Sequence, residues 1–345
     1  MWNYLRAFDF GNYEFRGQTL RIKSKQMKQA LILHNPVNNT SKEDELDVLN
    51  QAELIESTLK ILGYSSQRIA FDLNSSILAD TVANNKVSVV FNLVETINES
   101  GRLSFVAPAL LELFRVPFTG SGTEAIFTTT DKIICKTILS FNKIKTPHWA
   151  KNLADIDPEK YYITKPISED GSVGIDDTLI VQGKAITNIP NGFFSEEYIH
   201  GREFNISVIG GNEAIQVLPP AEMCFLNDYY ETNPRILGYK AKWDETSMEY
   251  QNTIRSFQIK ETDAELIEKL KEIAAECWKI FGLRGYARVD VRVGSDNLPQ
   301  VIEINANPCI APDSGFIAAC QEAGLSNTEV IGRIIEDAKR YEARI

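Results

Sequence analysis

Two alternating segments near the C-terminus constrain the fold of this chain more than any other part of it. Residues 287–293 and 300–305 each alternate polar and apolar side chains, and the turn Gly294–Pro299 separates them. Such alternation is typical of β-strands that bury one face. The two segments therefore predict an antiparallel hairpin whose polar side chains share the opposite face.

The apolar positions also predict how the two strands of this hairpin pair. A slip by one residue would set charged side chains against apolar ones and would lose the buried face. Only a register that pairs apolar with apolar residues avoids this. The resulting pairs are Val289 with Ile304, Val291 with Ile302, Arg288 with Asn305 and Asp290 with Glu303.

The polar face of the hairpin predicts a metal site. Asp290 and Glu303 would lie directly opposite each other, with β carbons about 4.5–5.5 Å apart. Two carboxylates this close repel unless a positive charge lies between them, and Mg²⁺ prefers such oxygen ligands. Asn305 adds a carbonyl oxygen, and Arg288 could stabilise a transferred phosphoryl group. The alternative is a solvated sheet face with scattered ion pairs.

Two further segments carry weaker signals of a ligand site. Lys165 ends a predicted strand and precedes a loop rich in glycine and serine, whose backbone N–H groups could bind phosphates. An ordinary hairpin turn is the alternative there. Glu196 and Glu203 flank a turn and could accept hydrogen bonds from a ligand, although such pairs usually mark a solvated edge.

The order of predicted elements indicates a mixed α/β and α+β chain. Strands and helices alternate before residue 125, which favours a parallel sheet. Short strands over 161–165, 179–181, 193–199 and 203–209 follow, separated by turns with Gly or Asn, which favours an antiparallel sheet. Residues 225–252 have weak periodicity and predict a long functional loop. The predicted units are an appendage over 1–26, a parallel α/β domain over 27–125, a central subdomain over 126–215 and a C-terminal subdomain over 216–345.

Composition excludes some classes of partner. The net charge of −11 argues against a duplex nucleic-acid partner, which needs a basic face. No apolar run approaches the roughly 18 residues that span a bilayer. The five cysteines form no C-x-x-C pair, which indicates reduced thiols in a cytoplasm. The three histidines are scattered, so a zinc site is not expected.

Taken in order, the motifs resemble those of ATP-grasp ligases, most closely the D-alanine–D-alanine ligase family. The resemblance spans roughly residues 28–340. It implies an ATP-grasp fold, in which a small parallel α/β N-terminal domain precedes two α+β subdomains that clasp ATP. The motifs are residues 117–121, 131–132, 165–174, 196–203, 239–242, 288–290 and 303–308.

The resemblance also implies roles for individual residues. Asp290, Glu303 and Asn305 would bind two Mg²⁺ ions, with Mn²⁺ as an alternative. The residues implied to bind ATP are Lys132, Lys165, Ser172, Glu196, Glu197, Ile199, Glu203 and Lys242. Of these, Glu196 would meet the adenine amino group with the backbone around Glu197 and Ile199, and Glu203 would hold the ribose. The residues implied to act in catalysis are Arg288 at the tetrahedral intermediate, Lys242 at the γ-phosphate and Ser314 at the carboxylate of the second amino acid.

The part of the chain that would bind the first substrate departs from the family pattern. The family's Gly-rich turn and amine-binding glutamate have no clear match, and Glu95 is our candidate for the amine contact. Cys309 replaces a glycine whose backbone N–H would face the reacting oxygen. A nucleophilic role for Cys309 is disfavoured, because no histidine is near it in sequence.

The resulting prediction is an ATP- and Mg²⁺-dependent ligase. It would join a carboxylate to an amine through an acyl phosphate, with amino acids or small peptides as substrates. The alternatives are D-alanine–D-alanine ligation for peptidoglycan synthesis and a non-catalytic nucleotide-binding module. By analogy with such ligases, a homodimer is also an option.

Overall fold

Three sheets and a short hairpin form the framework of the chain. The computed structural model describes residues 13–15, 18–20, 27–71, 75–169, 179–211, 214–226 and 229–342. The strands are β1 (Tyr13–Phe15), β2 (Gln18–Leu20), β3 (Lys28–His34), β4 (Tyr64–Ala70), β5 (Val87–Leu93), β6 (Trp149–Ala150), β7 (Tyr161–Pro166), β8 (Ile180–Gln182), β9 (Phe193–Glu197), β10 (Gly201–Ile209), β11 (Gln216–Val217), β12 (Ala221–Phe225), β13 (Thr253–Ser256), β14 (Tyr286–Gly294) and β15 (Pro299–Asn305).

Helices cover the sheets and carry several of the predicted site residues. They are α1 (Glu43–Ile61), α2 (Ser75–Asn85), α3 (Val106–Leu113), α4 (Thr123–Thr130), α5 (Lys132–Phe141), α6 (Tyr229–Thr232), α7 (Tyr239–Trp243), α8 (Met248–Gln251), α9 (Ala264–Ile280), α10 (Gly315–Glu322) and α11 (Asn327–Glu342). In the described residues, no helix combines the length and the apolar character needed to cross a bilayer.

A parallel sheet opens the main body, as the alternation of strands and helices predicts. Its order is β4-β3-β5, and residues 30–33 of the central strand are fully buried. Strand β4 and helix α2 were not predicted. Strand β4 lies at the edge of the sheet, is only partly buried and contains mostly polar residues, so it lacks an apolar alternation.

A second, antiparallel sheet has the order β6-β9-β7-β8. The predicted strands over 161–165, 179–181 and 193–199 correspond to β7, β8 and β9, although β9 ends at Glu197. Helix α5 packs beside this sheet and begins after Asp131. The carboxylate of Asp131 accepts hydrogen bonds from the backbone N–H groups of Ile133 and Ile134, both at 3.0 Å. This cap fixes the start of the helix that carries Lys132.

The third sheet contains the predicted hairpin. Its main path is β13-β12-β10-β14-β15, and β11 pairs with β10. Strand β10 thus lies in the same sheet as β14, although it falls within the predicted unit 126–215. The limits of the domains stay a prediction.

The predicted hairpin register is confirmed around the acidic residues and wrong beyond them. Arg288 pairs with Asn305, Val289 with Ile304 and Asp290 with Glu303. A bulge then follows, so Val291 pairs with Val301 rather than with Ile302. Alternation alone cannot reveal such a bulge, because one extra residue leaves the apolar pattern on each side intact.

The segment over 225–252 is not the long irregular loop that the sequence predicts. Among its described residues it contains the short helices α6, α7 and α8, and β13 follows directly. Each helix has five residues or fewer, so none shows the repeated apolar spacing that a sequence pattern requires.

The cap at Asp131 provides a test of how α5 is held. Replacing Asp131 with Ala removes the acceptor for two helical N–H groups, so we expect the free energy of unfolding to fall by about 1 kcal/mol. Urea unfolding monitored by circular dichroism measures it. Asp80→Ala, in the middle of α2, removes the same charge without a cap and should be near neutral. Equal losses in the two variants would contradict the capping role.

Candidate active site

A cleft of about 1760 Å³ lies between the parallel sheet and the sheet that contains the hairpin. Its walls carry many of the predicted site residues, but the described residues Lys132, Lys165, Glu196, Glu197, Ile199, Glu203 and Asp290 are not in its lining. Representative lining residues are Asp47, Glu95, Lys242, Arg288, Glu303 and Ser314. The fold therefore brings the predicted catalytic, metal and substrate residues to one space, although they are far apart in sequence.

The hairpin face turned to this cleft carries a dense ionic cluster. Arg288 donates from Nε and Nη2 to the two oxygens of Asp290, at 2.7 and 2.8 Å. Asn205 on the neighbouring strand donates from Nδ2 to Asp290 Oδ1 at 2.9 Å. Burial opposes the charge of Arg288, yet contact with Asp290 raises the pKa of the guanidinium. The guanidinium therefore stays ionised.

The second carboxylate of the hairpin has a different cation. Lys132 Nζ lies 3.2 Å from Glu303 Oε1 and also donates to the carbonyl oxygen of Glu169 at 2.7 Å. Lys132 is buried at the start of α5. The opposed acids Asp290 and Glu303 are thus held close together by two cations from different elements.

The chemistry of these donors fits a hard divalent cation. Asp290, Glu303 and Asn305 offer two carboxylates and one amide oxygen on a single sheet face, and Mg²⁺ commonly takes one or two protein carboxylates together with phosphates and water. No group of three His, Cys, Asp or Glu side chains in the described ranges could hold a metal by itself. The metal role of this set stays a prediction.

A buried ionic triad surrounds Glu196, the residue predicted to meet adenine. Its carboxylate forms ion pairs with Lys136 and Lys165, and Lys136 also donates to Thr146 Oγ1 at 2.8 Å. Glu196 is 2% exposed and Lys136 is 1% exposed. Burial alone would raise the pKa of Glu196, but the two lysines bring it below its ordinary value.

Lys136 was not singled out from the sequence, although a signal was present. It follows Lys132 by four residues, so the two lysines lie on one face of α5. Two charged residues on the buried side of an apolar helix need partners inside the protein. That pattern could have indicated a buried anion such as Glu196.

Glu203, predicted to hold the ribose, is paired with another residue that the sequence did not reveal. Arg292 Nη1 donates to Glu203 Oε2 at 2.9 Å, and the guanidinium also donates to the carbonyl oxygens of Ile199 at 3.0 Å and Arg235 at 2.7 Å. Burial raises the pKa of Glu203 despite this contact. Arg292 lies on the polar face of β14, two positions beyond Asp290.

The segment over 225–252 reaches the nucleotide side of the cleft. The backbone N–H of Arg235 donates to the Tyr198 hydroxyl at 3.0 Å, next to the predicted adenine contacts Glu197 and Ile199. The carboxylate of Glu197 is paired with Lys160 at 2.8 Å. Lys242 lines the cleft, and burial followed by the charge of Arg288 lowers its pKa.

The far wall of the cleft carries acids near Cys309. The thiol of Cys309 donates to Asp47 Oδ2 at 2.9 Å, and Gln51 Nε2 lies 3.4 Å from both that oxygen and Glu95 Oε1. Burial and then Asp47 raise the pKa of the thiol well above its ordinary value, which disfavours a nucleophilic thiolate. Asp47 was not identified from the sequence, because α1 offers several acidic residues and only tertiary contacts distinguish them.

Ser314 and Arg255 form the wall beside this acidic group. Ser314 caps α10, and its hydroxyl oxygen accepts from the N–H of Ile317 at 3.3 Å. Arg255 donates from Nη1 to the carbonyl oxygen of Asp313 at 3.3 Å. Both side chains line the cleft. Ser172, predicted to bind phosphate, lies outside the described residues.

Comparison with known proteins agrees with this geometry. The family model described as D-ala D-ala ligase C-terminus matches residues 161–336, about half of the chain. Among curated relatives, the uncharacterized protein y4sG of Sinorhizobium fredii is 29% identical over 73% of this chain and 75% of its own length. The D-alanine–D-alanine ligase of Carboxydothermus hydrogenoformans is 27% identical over 86% of this chain and 94% of its own length.

Solved structures share the fold. A D-alanine–D-alanine ligase of Bacillus anthracis complexed with ATP has a TM-score of 0.68 and 20% identity, covering 92% of this chain and 99% of that one. D-alanyl-alanine synthetase A of Vibrio cholerae has a TM-score of 0.71 and 16% identity, covering 90% and 98%. The predicted ATP-grasp fold class is thereby confirmed.

The buried triad predicts a large cost for removing one of its lysines. Lys136→Met leaves Glu196 with a single cation in a dry site, so we expect the free energy of unfolding at pH 7 to fall by about 3 kcal/mol. Because the pKa of Glu196 is lowered by folding, its stabilisation is full above its ordinary value of 4.5 and is lost as the pH falls below it. The difference in the free energy of unfolding between Lys136→Met and the unaltered protein should therefore shrink as the pH falls below 4.5.

Urea unfolding between pH 3 and pH 7 measures both effects. Lys160→Met is the matched control, because Lys160 forms a half-exposed pair with Glu197 on the same sheet. It should cost less than about 1 kcal/mol. Similar losses in the two variants would contradict a special role for the buried triad.

Proposed function

The chain belongs to the D-alanine–D-alanine ligase family of ATP-grasp proteins, and from this premise we propose that it is an ATP- and Mg²⁺-dependent ligase. It joins the carboxylate of one amino acid or small peptide to the amine of another. The observation that carries the proposal is the ionic cluster of Arg288, Asp290, Glu303 and Lys132, of which Arg288 and Glu303 line the cleft. A module that only binds nucleotide has no need of this cluster.

The proposed reaction has two steps. An oxygen of the first substrate's carboxylate attacks the γ-phosphorus of ATP, the bond to the β–γ bridging oxygen breaks, and ADP leaves. The amine of the second substrate then attacks the acyl carbon, loses a proton, and inorganic phosphate leaves as the amide forms. Phosphoryl transfer of this kind depends on positioning and on neutralisation of charge rather than on a protein nucleophile.

The side chains of the cleft would supply both requirements. Lys132 and Lys165 orient the nucleotide and its phosphates, while Lys242 neutralises the γ-phosphate from the 225–252 segment. Arg288 stabilises the negative charge that develops on the acyl carbon's oxygen. Bound to Asp290, Glu303 and Asn305, Mg²⁺ would supply further charge neutralisation to the phosphates. We predict two such ions from the family resemblance.

Recognition of the nucleotide base follows from the buried triad and its neighbours. Lys136 and Lys165 hold the Glu196 carboxylate in one place, from which it can accept a hydrogen bond from the adenine amino group. The backbone of Glu197 and Ile199 completes the contact with the base, and Glu203 receives the ribose. The hydrogen bond from Arg235 to Tyr198 ties this part of the chain to the proposed base-binding region. A segment closed over the site would keep water from an acyl phosphate.

The substrate end of the cleft supports a zwitterionic donor. Asp47 and Glu95 are the nearby acids that would bind the ammonium group of the first amino acid, and the backbone N–H of Cys309 would face the reacting oxygen. Ser314 would receive the carboxylate of the second amino acid. The names of the relatives favour D-alanine as a substrate, whereas the altered turn after β3 favours another one, so D-alanine–D-alanine ligation is the second candidate.

Loss of one carboxylate in the ionic cluster tests the assignment. Asp290→Asn should lower amino-acid-dependent phosphate release by about 100- to 1,000-fold, because the charge that holds Arg288 and the metal is removed. Asp296→Asn in the turn of the same hairpin is the control and should keep full activity. Circular dichroism checks that both variants fold. Ligation that survives in Asp290→Asn would show that the metal assignment is wrong.

A chelator tests the dependence on metal. Excess EDTA should stop ATP turnover, and Mg²⁺ or Mn²⁺ added beyond the chelator should restore it. Coupled phosphate release with D-alanine and with other amino acids, followed by mass spectrometry of the product, measures the turnover and identifies the amide. ATP-dependent ligation that continues in EDTA would contradict the proposal, and failure with D-alanine alone would remove only the second candidate.

A further inference from the structure

Arg255 is a cation of the substrate cleft that the proposed reaction does not use. It lies on β13, the edge strand of the largest sheet, opposite Met223 of β12. Both residues line the cleft. Its Nη2 and Nε atoms lie 3.5 and 3.6 Å from the position that a β carbon would take on Gly315. The guanidinium therefore spans the start of α10, next to Ser314.

The charge of Arg255 is not balanced in the way that the charge of Arg288 is. Arg288 has a bidentate pair with Asp290. Within the described part of the chain, Arg255 has one hydrogen bond, to the carbonyl oxygen of Asp313, and no carboxylate within ion-pair distance. Burial and then the nearby charge of Arg288 lower the pKa of Arg255, and the charge of Asp313 acts against this shift. Arg255 and Arg288 both line the cleft, which could therefore hold an anion.

A substrate with only an α-carboxylate would leave the positive charge of Arg255 unbalanced. In the proposed function, the α-carboxylate of the second amino acid binds Ser314. Arg255 lies beside Gly315, the residue after Ser314, and its Nε and Nη2 donors form no hydrogen bond with a described residue. Arg255 is exposed to water here, and a bound neutral side chain such as that of alanine would remove water from this cation without a compensating charge.

We propose that Arg255 binds an anionic group on the side chain of the amine-supplying substrate, so that this substrate is a dicarboxylic amino acid. This inference rests on the proposed ligase function and adds the class of its second substrate. The α-carboxylate contacts Ser314, and the side-chain carboxylate accepts hydrogen bonds from Arg255. A guanidinium forms such paired bonds with a carboxylate in preference to other polar groups.

Changes in substrate preference test the role of Arg255 directly. The variants are Arg255→Gln, which removes the charge, and Arg255→Glu, which reverses it. Lys279→Gln removes one positive charge from the exposed face of α9 and is the control. Each protein is assayed with ATP and a common first amino acid against alanine, aspartate, glutamate and lysine in both chiralities, with mass spectrometry of the amide.

The expected result is a selective change in one substrate class. The unaltered protein should use a dicarboxylic acceptor at least about ten-fold better than alanine, as kcat/KM. Arg255→Gln should lower kcat/KM for that acceptor by about 10- to 100-fold, mainly through KM, while alanine changes by less than about three-fold. Arg255→Glu should favour lysine, and Lys279→Gln should behave as the unaltered protein. Equal use of alanine, or equal losses for both acceptor classes, would overturn the proposal.

A binding measurement separates failure of this inference from failure of the ligase function. Isothermal titration calorimetry follows aspartate, glutamate and alanine binding to the protein with Mg²⁺ and a non-hydrolysable ATP analogue. Dicarboxylic binding that Arg255→Gln weakens would support the role of Arg255 even if no amide forms, and would then contradict only the ligase function. Binding of alanine as tightly as aspartate and glutamate, or no binding by any of them, overturns the inference itself.

Discussion

Two carboxylates placed directly across a pair of strands repel each other, and the arrangement of the cleft depends on how that repulsion is relieved. Asp290 and Glu303 occupy such positions on β14 and β15. Arg288 neutralises one and Lys132 the other, each from a different element. The ion pair between Lys132 and Glu303 therefore holds the start of α5 against this sheet face. A divalent cation that also binds the phosphates of a nucleotide would suit the same carboxylate oxygens. The cluster that stabilises this sheet face is therefore also the one proposed to act in the reaction.

Buried ion pairs make the predicted nucleotide-binding region rigid. Glu196 between Lys136 and Lys165, and Glu203 beside Arg292, are ionic groups with almost no access to water. Removing one partner from such a group costs much more than removing a surface pair, because the charge left behind cannot be hydrated. The first group joins α5 to the β6-β9-β7-β8 sheet, and the second lies within the sheet that contains the hairpin. They can thus hold the backbone proposed to bind the base in place before a nucleotide arrives.

Charges of opposite sign occupy different parts of the proposed substrate side of the cleft. Asp47 and Glu95 place negative charge near Cys309, while Arg255 places positive charge beside Ser314. An amino acid with its ammonium group at one end and carboxylates at the other complements this separation. The predicted nucleotide side can stay constant while these few side chains select the substrate, since they belong to α1, to the segment after β5 and to the edge strand β13, which do not carry the ionic cluster.

The sequence by itself determined the hairpin, the opposition of Asp290 and Glu303 and the parallel sheet around β3, because strand periodicity is a local property that apolar residues record directly. It did not reveal the bulge after Asp290, the polar edge strand β4 or the short helices over 229–251, since these lack a periodic pattern. Only the tertiary structure decided that Lys136 meets Glu196, that Arg292 meets Glu203 and that Asp47 meets Cys309. The partner of a charged side chain depends on which distant segments pack together, and no local pattern records that choice.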